Sequence, residues 1–224
     1  MGGSVAGPGF SVGHATAGSA ERAGYPWHSA EPTCAHAYLW SAMRGILMDG
    51  VAHGRARRVF DLGCGNGATA RVLAAEGFEV AGVDPSQEGI GQARASGLDL
   101  RVGSAYEDLG SEFGRWPFVL CLEVVEHVYF PHRLARTLFE FCEPGALAIV
   151  STPYHGYWKN LALSLVPGVW DRHHHPLCDH GHIKFWSRRT LRALLIQAGF
   201  KAVRFERLGR VPALAKSMIA VAES

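Results

Sequence analysis

The chain has 224 residues, of which 48% are apolar and 19% charged, a composition typical of a globular protein with one domain. Its 22 Lys and Arg balance 20 Asp and Glu, for a net charge of +2, which argues against a protein that binds nucleic acid through a strong overall positive field. We expect no secretory signal and no membrane span, because no run approaches ~20 apolar residues. The five cysteines form no CxxC pair, so we expect a reduced, cytoplasmic protein.

The N-terminal region divides into two parts. Residues 1–24 are rich in Gly, Ala, Ser and Pro and predict a disordered leader, because few large apolar side chains are present to offset the entropy of ordering. Aromatic rings begin in the segment YPWH at 25–28, and residues 33–48 then repeat apolar residues at helical spacing. We therefore predict a single domain over residues 25–224, with a cap helix within residues 25–50.

From residue 57 onward, short apolar runs alternate with helical patterns. Strands are predicted at 58–63, 78–83, 98–102, 117–122 and 146–151, with helices at 67–76, 86–96 and 131–142. A helix at 187–198 and strands at 201–207 and 215–222 follow. Strands that alternate with helices over short links form a parallel sheet with helices on both faces. The pattern therefore predicts an α/β, Rossmann-like fold.

A glycine-rich segment, VFDLGCGNG at 59–67, carries the strongest functional signal. Gly63 and Gly65 follow the first strand, where the backbone must turn sharply and approach a ligand. Asp61 precedes them, and Asp84 ends the second strand, where a carboxylate can accept hydrogen bonds from both ribose hydroxyls. An acid beside the loop suits a ligand with a charged amino group and would repel a pyrophosphate. The alternative is a plain tight turn.

Together, the segments DLGCGNG at 61–67 and VDPS at 83–86 resemble the class I S-adenosylmethionine-dependent methyltransferases. The segment CLEVVEHV at 121–128 is similar to their fourth-strand motif, particularly in ubiquinone-pathway and related small-molecule O-methyltransferases, and RVGSAYEDL at 101–109 resembles the segment that flanks adenine. The resemblance implies a seven-stranded, mostly parallel sheet. Its last strand, 215–222, would insert antiparallel between the fifth and sixth strands.

The resemblance also implies a site for S-adenosylmethionine, with S-adenosylhomocysteine as the product. Asp61 would hold the amino group, backbone at Gly63, Cys64 and Gly65 would contact the methionine moiety, and Asp84 would accept from the ribose hydroxyls. The other positions would line the adenine or the cofactor's underside: Pro85 and Ser86 beside the adenine, Ser104 and Ala105 at its edge, and Glu123 under the cofactor. Many relatives carry an acid where this chain has Ser104.

The aromatic residues before the first helix have two interpretations. Tyr25 and Trp27 would cover the cofactor from the N-terminal side, with His28 facing the acceptor. Alternatively, they anchor the first helix.

Two histidines are candidates for a general base, because imidazole has a pKa suited to taking a proton from a hydroxyl. His127 follows the fourth strand, at the edge of the sheet where the methyl group would be transferred, and His182 lies where the chain re-enters the domain. The structural alternative for His127 is that it caps the next segment or packs against Glu126.

Residues 153–186 interrupt the alternation and form a predicted acceptor lid. Tyr154, His155 and Trp158 offer flat faces with polar tips, suited to an aromatic acceptor. Alternatively, rings such as Tyr157 and Trp158 form the lid's own small core. Six histidines of this segment, with Cys178 and Asp179, raise the question of a metal site. Their spacing fits no zinc pattern, so we predict no metal there.

The sequence thus predicts an enzyme that transfers a methyl group from S-adenosylmethionine to a small-molecule hydroxyl or phenol, with no nucleic-acid or membrane partner. A domain that binds the cofactor without catalysing transfer is the first alternative. An NAD-dependent oxidoreductase is the second, although the GxGxG spacing and Asp61 argue against it. A nucleic-acid methyltransferase is disfavoured by the weak net charge.

Overall fold

A computed structural model describes residues 34–170 and 181–224. The helices are α1 (Cys34–Ala52), α2 (Ala68–Ala75), α3 (Gln87–Ala93), α4 (Gly110–Phe113), α5 (Pro131–Glu140), α6 (Tyr157–Ser164) and α7 (Arg188–Ala198). The strands are β1 (Arg58–Leu62), β2 (Glu79–Asp84), β3 (Asp99–Val102), β4 (Trp116–Leu122), β5 (Cys142–Pro153), β6 (Ala202–Leu208) and β7 (Ser217–Glu223).

All seven strands belong to one sheet, in the order β3-β2-β1-β4-β5-β7-β6. The pairs from β3 through β5 are parallel, whereas β7 runs antiparallel to both β5 and β6. The predicted fold class is therefore confirmed, including the antiparallel last strand between the fifth and sixth. Chain order reverses between β1 and β4, and open α/β sheets bind ligands at such a switch point, outside the carboxyl ends of the strands.

Side chains along the strands alternate between two buried cores, one on each face of the sheet. Val59 and Phe118 belong to the core that α1, α2 and α3 cover. Their chain neighbours Phe60 and Val119 belong to the core that α5 and α7 cover. The near-continuous apolar runs of β1 and β4 follow from this burial on both faces.

Several element ends differ from the prediction. The helix predicted at 86–96 ends as a 3-10 turn over Arg94–Ser96, after which Gly97 turns the chain with φ 70°. The fifth strand covers 142–153 rather than 146–151, because β4 and β7 pair with it along most of its length. Helix α1 continues past residue 50, and α6 lies inside the insertion, where no element was predicted.

Two groups of predicted features lie outside the described residues. The first contains the leader at 1–24 together with Tyr25, Trp27 and His28. The second contains the middle of the insertion, residues 171–180, with four of its histidines. Among the helices that are described, none is long and apolar enough to cross a bilayer.

Candidate active site

The glycine loop is tied to the end of β2 by its backbone. The N–H groups of Gly63 and Cys64 both donate to Val83 O, at 2.8 and 3.1 Å. Gly63, Gly65 and Gly67 have φ of 95°, 52° and 73°, a region that favours glycine because it has no Cβ. These glycines bring the backbone back across the sheet edge before α2 begins.

The carboxyl of Asp84 holds the glycine loop through a hydrogen bond. Its Oδ2 accepts from the Gly65 N–H at 2.9 Å, and its Oδ1 accepts from the Ser86 N–H at 2.8 Å. Burial raises the pKa of Asp84, and the two backbone hydrogen bonds partly offset this rise. Ser86 also caps α3, since its Oγ accepts from the Gly89 N–H at 3.1 Å. The structure thus gives Ser86 a helix-capping contact that sequence reasoning missed.

Asp61 is a second buried carboxyl at this edge. It pairs in register with Gly82 of β2, and a Cβ at Gly82 would lie only 2.5 Å from Asp61 O. Burial raises the pKa of Asp61 to about 7, with the neighbouring charge of Asp84 adding to the rise. Two adjacent acids in a buried edge are suited to a cationic group, which would stabilise their charged forms.

If Asp61 binds the amino group, as the family resemblance implies, S-adenosylhomocysteine affinity should rise with pH up to about 7 and then level off, because an ammonium group favours ionised Asp61. The decline below this pH approaches about tenfold per unit. Calorimetry in buffers of different ionisation enthalpy should detect proton release at pH 6 but not at pH 8. Asp61→Asn should bind more weakly and remove the pH dependence. A flat affinity between pH 5.5 and 7.5 without proton release would contradict this role.

In the ligand-free protein, the raised pKa of Asp61 makes the stability of the fold depend on pH. The folded pKa of about 7 exceeds the ordinary 3.8, so the fold favours the protonated carboxyl. This stabilising contribution is complete below about pH 4 and is lost as the pH rises through 7.

Glu123 stands at the end of β4 in a strained conformation. Its φ of 55° is positive, the one such value for a non-glycine residue in the described part of the chain. The Glu123 N–H donates to Ser151 O at 3.1 Å, and the Ser151 hydroxyl donates to Glu123 Oε1 at 2.8 Å. These contacts with β5 hold Glu123 in a backbone conformation that costs free energy. Such strained conformations are frequent at functional sites.

Burial raises the pKa of Glu123 to about 7, against the opposing effects of Ser151 and Lys159. Lys159 of α6 is itself buried, and burial lowers the pKa of its ammonium to about 8. Its Nζ donates to Lys216 O at 3.2 Å. Sequence reasoning missed Lys159, because no motif marks it and its proximity to Glu123 depends on the fold.

The two predicted bases meet in space although they lie 55 positions apart. The rings of His127 and His182 have centroids 4.9 Å apart at 70°. Glu126 lies beside them, and one ligand-type atom from each of these three residues falls within 4.8 Å of the others. We call this group the Glu-His-His cluster. The sequence had suggested Glu126 only as a packing partner of His127.

Backbone hydrogen bonds between two distant segments hold the cluster together. The N–H groups of Ile183 and Lys184 both donate to Glu126 O at 3.0 Å. The Trp186 indole donates to Val125 O at 3.1 Å. These contacts fasten the end of the insertion to the turn after β4, and so fix His182 beside His127.

The predicted acceptor residues occupy different environments. Tyr154 is buried in the core on the α5 side of the sheet. His155 is also buried, with its ring 5.0 Å from that of Phe185. Tyr157 and Trp158 are 73% and 63% exposed, so these two rings form no core within the described part of the insertion.

The predicted adenine edge lies after β3. The Ser104 hydroxyl accepts from the Tyr106 N–H at 3.2 Å, and Ala105 O accepts from the Thr137 hydroxyl at 2.9 Å. The Ser104 N–H donates to Glu107 Oε2 at 3.2 Å. Glu107 therefore places an acid beside the Ser104 backbone, a contact that the sequence analysis did not find.

The seven-stranded topology, with a glycine loop after β1 and an acid ending β2, defines the class I methyltransferase fold. A family model described as a methyltransferase domain matches residues 37–204. The chain belongs to this family, and its cofactor is S-adenosylmethionine.

Relatives and solved structures agree with this assignment. A ubiquinone biosynthesis O-methyltransferase from Burkholderia pseudomallei is 27% identical over 171 residues, covering 74% of this chain and 73% of that protein. One from Azorhizobium caulinodans is 34% identical over 150 residues, covering 64% and 58%. The fold is similar to that of magnesium protoporphyrin IX methyltransferase from Synechocystis, solved with bound S-adenosylhomocysteine, at a TM-score of 0.58, 20% identity and 82% coverage of each chain. The comparisons give no support to the oxidoreductase alternative.

Proposed function

We propose that the enzyme methylates an oxygen, a hydroxyl or a phenol, of a small molecule. The observation that supports this most directly is the Glu-His-His cluster, a group of titratable side chains after β4. Burial raises the pKa of the Cys121 thiol of β4, and the charges of Glu126 in the cluster and of Asp61 in β1 raise it further, so this thiol lies near both acids. The O-methyltransferase names of relatives at 27–34% identity agree with an oxygen acceptor.

We assign the cofactor contacts as follows. Asp61 binds the amino group, backbone at Gly63, Cys64 and Gly65 contacts the methionine moiety, and Asp84 accepts from the ribose hydroxyls. The rest of the assigned site is Pro85, Ser86, Ser104, Ala105 and Glu123. These assignments are supported by the two buried acids and by the positive φ values of the loop glycines.

The proposed reaction is an in-line displacement. His127 or His182 takes the proton from the acceptor hydroxyl as its oxygen attacks the methyl carbon. The new C–O bond forms as the S–C bond breaks, and that electron pair stays on sulfur to give the neutral thioether. The protein contributes alignment and exclusion of water, because the cofactor already carries the activated methyl group.

We expect one of the two variants, His127→Ala or His182→Ala, to lower kcat by about 10²–10⁴-fold, the usual contribution of a positioned base. S-adenosylhomocysteine affinity should stay within about twofold, since neither residue is assigned to the cofactor. The measurement is release of S-adenosylhomocysteine over a panel of phenols, alcohols and carboxylic acids. The exposed His132 of α5 provides the matched control, and His132→Ala should keep full turnover.

Two results would count against the proposal. Full turnover by both histidine variants would remove the base role. Cofactor binding with no methyl release on any acceptor would instead favour a domain that binds the cofactor without transferring its methyl group.

A further inference from the structure

Helix α6 buries a charged side chain against the end of the sheet. Lys159 is 6% exposed, whereas its neighbours Tyr157 and Trp158 face solvent. Its Nζ donates to Lys216 O at 3.2 Å, the one hydrogen bond of this ammonium within the described residues. An ammonium has three N–H donors, and its burial with a single neutral acceptor is costly unless a negative charge lies nearby.

Glu123 supplies that charge from the other side of β5. The end of β5 pairs with β4 at Ser151 and with β7 at Pro153. On the β4 side, the Ser151 hydroxyl donates to the Glu123 carboxyl at 2.8 Å. On the β7 side, Lys216 O accepts from Lys159 just before the strand begins. Burial raises the pKa of Glu123 to about 7 and lowers that of Lys159 to about 8, and each charge opposes the shift of the other. The two side chains therefore form a buried pair of opposite charge.

Other charged groups near this pair do not replace either partner. After burial itself, the charge of Glu123 raises the pKa of Glu126 in the same turn, which favours a neutral Glu126. Arg210, in the link between β6 and β7, adds to the lowering of the Lys159 pKa because it repels the ammonium. Burial also raises the pKa of Asp61 on β1 to about 7, so an experiment has to separate the ionisation of Asp61 from that of Glu123.

We propose that Lys159 is a positioning residue that favours the charged form of Glu123, so that this carboxylate attracts the sulfonium of S-adenosylmethionine. The inference rests on the proposed place of Glu123 under the cofactor. A carboxylate attracts the positive sulfonium, whereas the thioether of S-adenosylhomocysteine is neutral and gains no such attraction. The pair thus favours the methyl donor over its product, and this preference is lost when Glu123 is protonated.

The test compares the affinities of S-adenosylmethionine and S-adenosylhomocysteine for the full-length protein, measured by calorimetry from pH 5.5 to 9. The quantity of interest is the ratio of the two affinities. Both ligands carry the amino group assigned to Asp61, so the ionisation of Asp61 largely cancels in this ratio. In the parent protein, the ratio should shift about tenfold towards S-adenosylmethionine as the pH rises through about 7. Lys159→Met should move the midpoint of this change upward by about 1 pH unit or more, the effect of removing a neighbouring opposite charge.

Control variants distinguish the charge of Lys159 from its hydrogen bond. Lys159→Arg keeps a cation and should keep the midpoint near that of the parent. Lys201→Met removes a comparable bond, since Lys201 Nζ donates to Ser224 O at 3.0 Å, and should leave the ratio unchanged at every pH. Lys159→Met should remain folded, because an apolar side chain replaces a buried ammonium, and a thermal melt checks this. If Lys159→Met lowers the Tm but leaves the midpoint unchanged, Lys159 only ties α6 to Lys216 O and the proposal is overturned.

Glu123→Gln separates the role of Lys159 from the site assignment on which it rests. This variant should lose the pH dependence of the ratio, and adding Lys159→Met to it should change nothing further. A ratio that keeps its pH dependence in Glu123→Gln would contradict the place of Glu123 under the cofactor and the proposal with it. The readout is cofactor binding without an acceptor, so a failure of the proposed methyl transfer would produce neither contrary result.

Discussion

Asp84→Ala is expected to weaken S-adenosylhomocysteine binding by about 10²–10⁴-fold. This loss corresponds to two proposed hydrogen bonds between a carboxylate and the ribose hydroxyls, each contributing about 1.5–3 kcal/mol. The same carboxyl also holds the Gly65 and Ser86 amides, so its removal should disturb the glycine loop. Calorimetry with S-adenosylhomocysteine measures the loss, and a thermal melt measures the accompanying fall in Tm.

Two further variants separate the binding role of Asp84 from its structural role. Asp99→Ala removes an acid at the start of β3 whose carboxylate accepts from the Arg101 side chain. This variant should bind S-adenosylhomocysteine as tightly as the parent protein does. Ser86→Ala removes the cap of α3 but keeps its backbone bond to Asp84. It should lower stability by about 1 kcal/mol with a much smaller loss of affinity. If Asp84→Ala binds within threefold of the parent protein, the ribose assignment is wrong.

The order of the elements could be predicted from sequence because local patterns determine it. β1 and β4 are apolar over most of their length since both faces of the sheet are covered, and glycines mark the turns between elements. The antiparallel β7 was predicted only through the family resemblance. Periodicity alone does not specify that residues 217–223 lie between β5 and β6.

Helix α6 could not be predicted because its buried residue is charged and its large apolar residues are exposed. Within Tyr157–Ser164 the buried residue is Lys159, while Tyr157 and Trp158 face outward. The usual rule places apolar side chains inward, so the pattern indicates neither a helix nor its orientation. The buried ammonium of Lys159 is compensated by the charge of Glu123 and by Lys216 O, both distant in sequence.

The residues of the candidate site also divide into those that the sequence predicts and those that it does not. Asp61, Asp84 and the loop glycines lie within 25 residues of one another and carry a motif, so the sequence identified them. The joining of His127 to His182 depends on backbone hydrogen bonds from Ile183 and Lys184 to Glu126 O. Such contacts leave no periodic pattern in the sequence, and the Glu126 carboxyl gains its importance only from burial.

Gly63→Ala is expected to destabilise the protein by about 2–5 kcal/mol and to reduce cofactor affinity at least tenfold. Gly63 has φ 95°, where an L side chain costs about 1–2 kcal/mol, and a Cβ there would overlap Val124 Cγ2, adding about 1–3 kcal/mol of overpacking. Relief of this overlap would move the Gly63 and Cys64 amides away from Val83 O. Chemical denaturation and calorimetry with S-adenosylhomocysteine measure the two effects.

Gly54→Ala is the matched control for Gly63→Ala, since Gly54 has φ 91° and open space where its Cβ would lie. Gly54→Ala should lose only the stability that the positive backbone angle costs, and it should bind the cofactor normally. A double mutant cycle then isolates the collision, because Val124→Ala removes the methyl group that a Cβ at position 63 would meet. The Val124→Ala change should therefore restore part of the stability lost in Gly63→Ala. The contrary result is equal destabilisation by Gly63→Ala and Gly54→Ala, with no stability restored by Val124→Ala. It would show that the backbone angle alone requires glycine at position 63, and that close packing against the turn after β4 does not shape the cofactor loop.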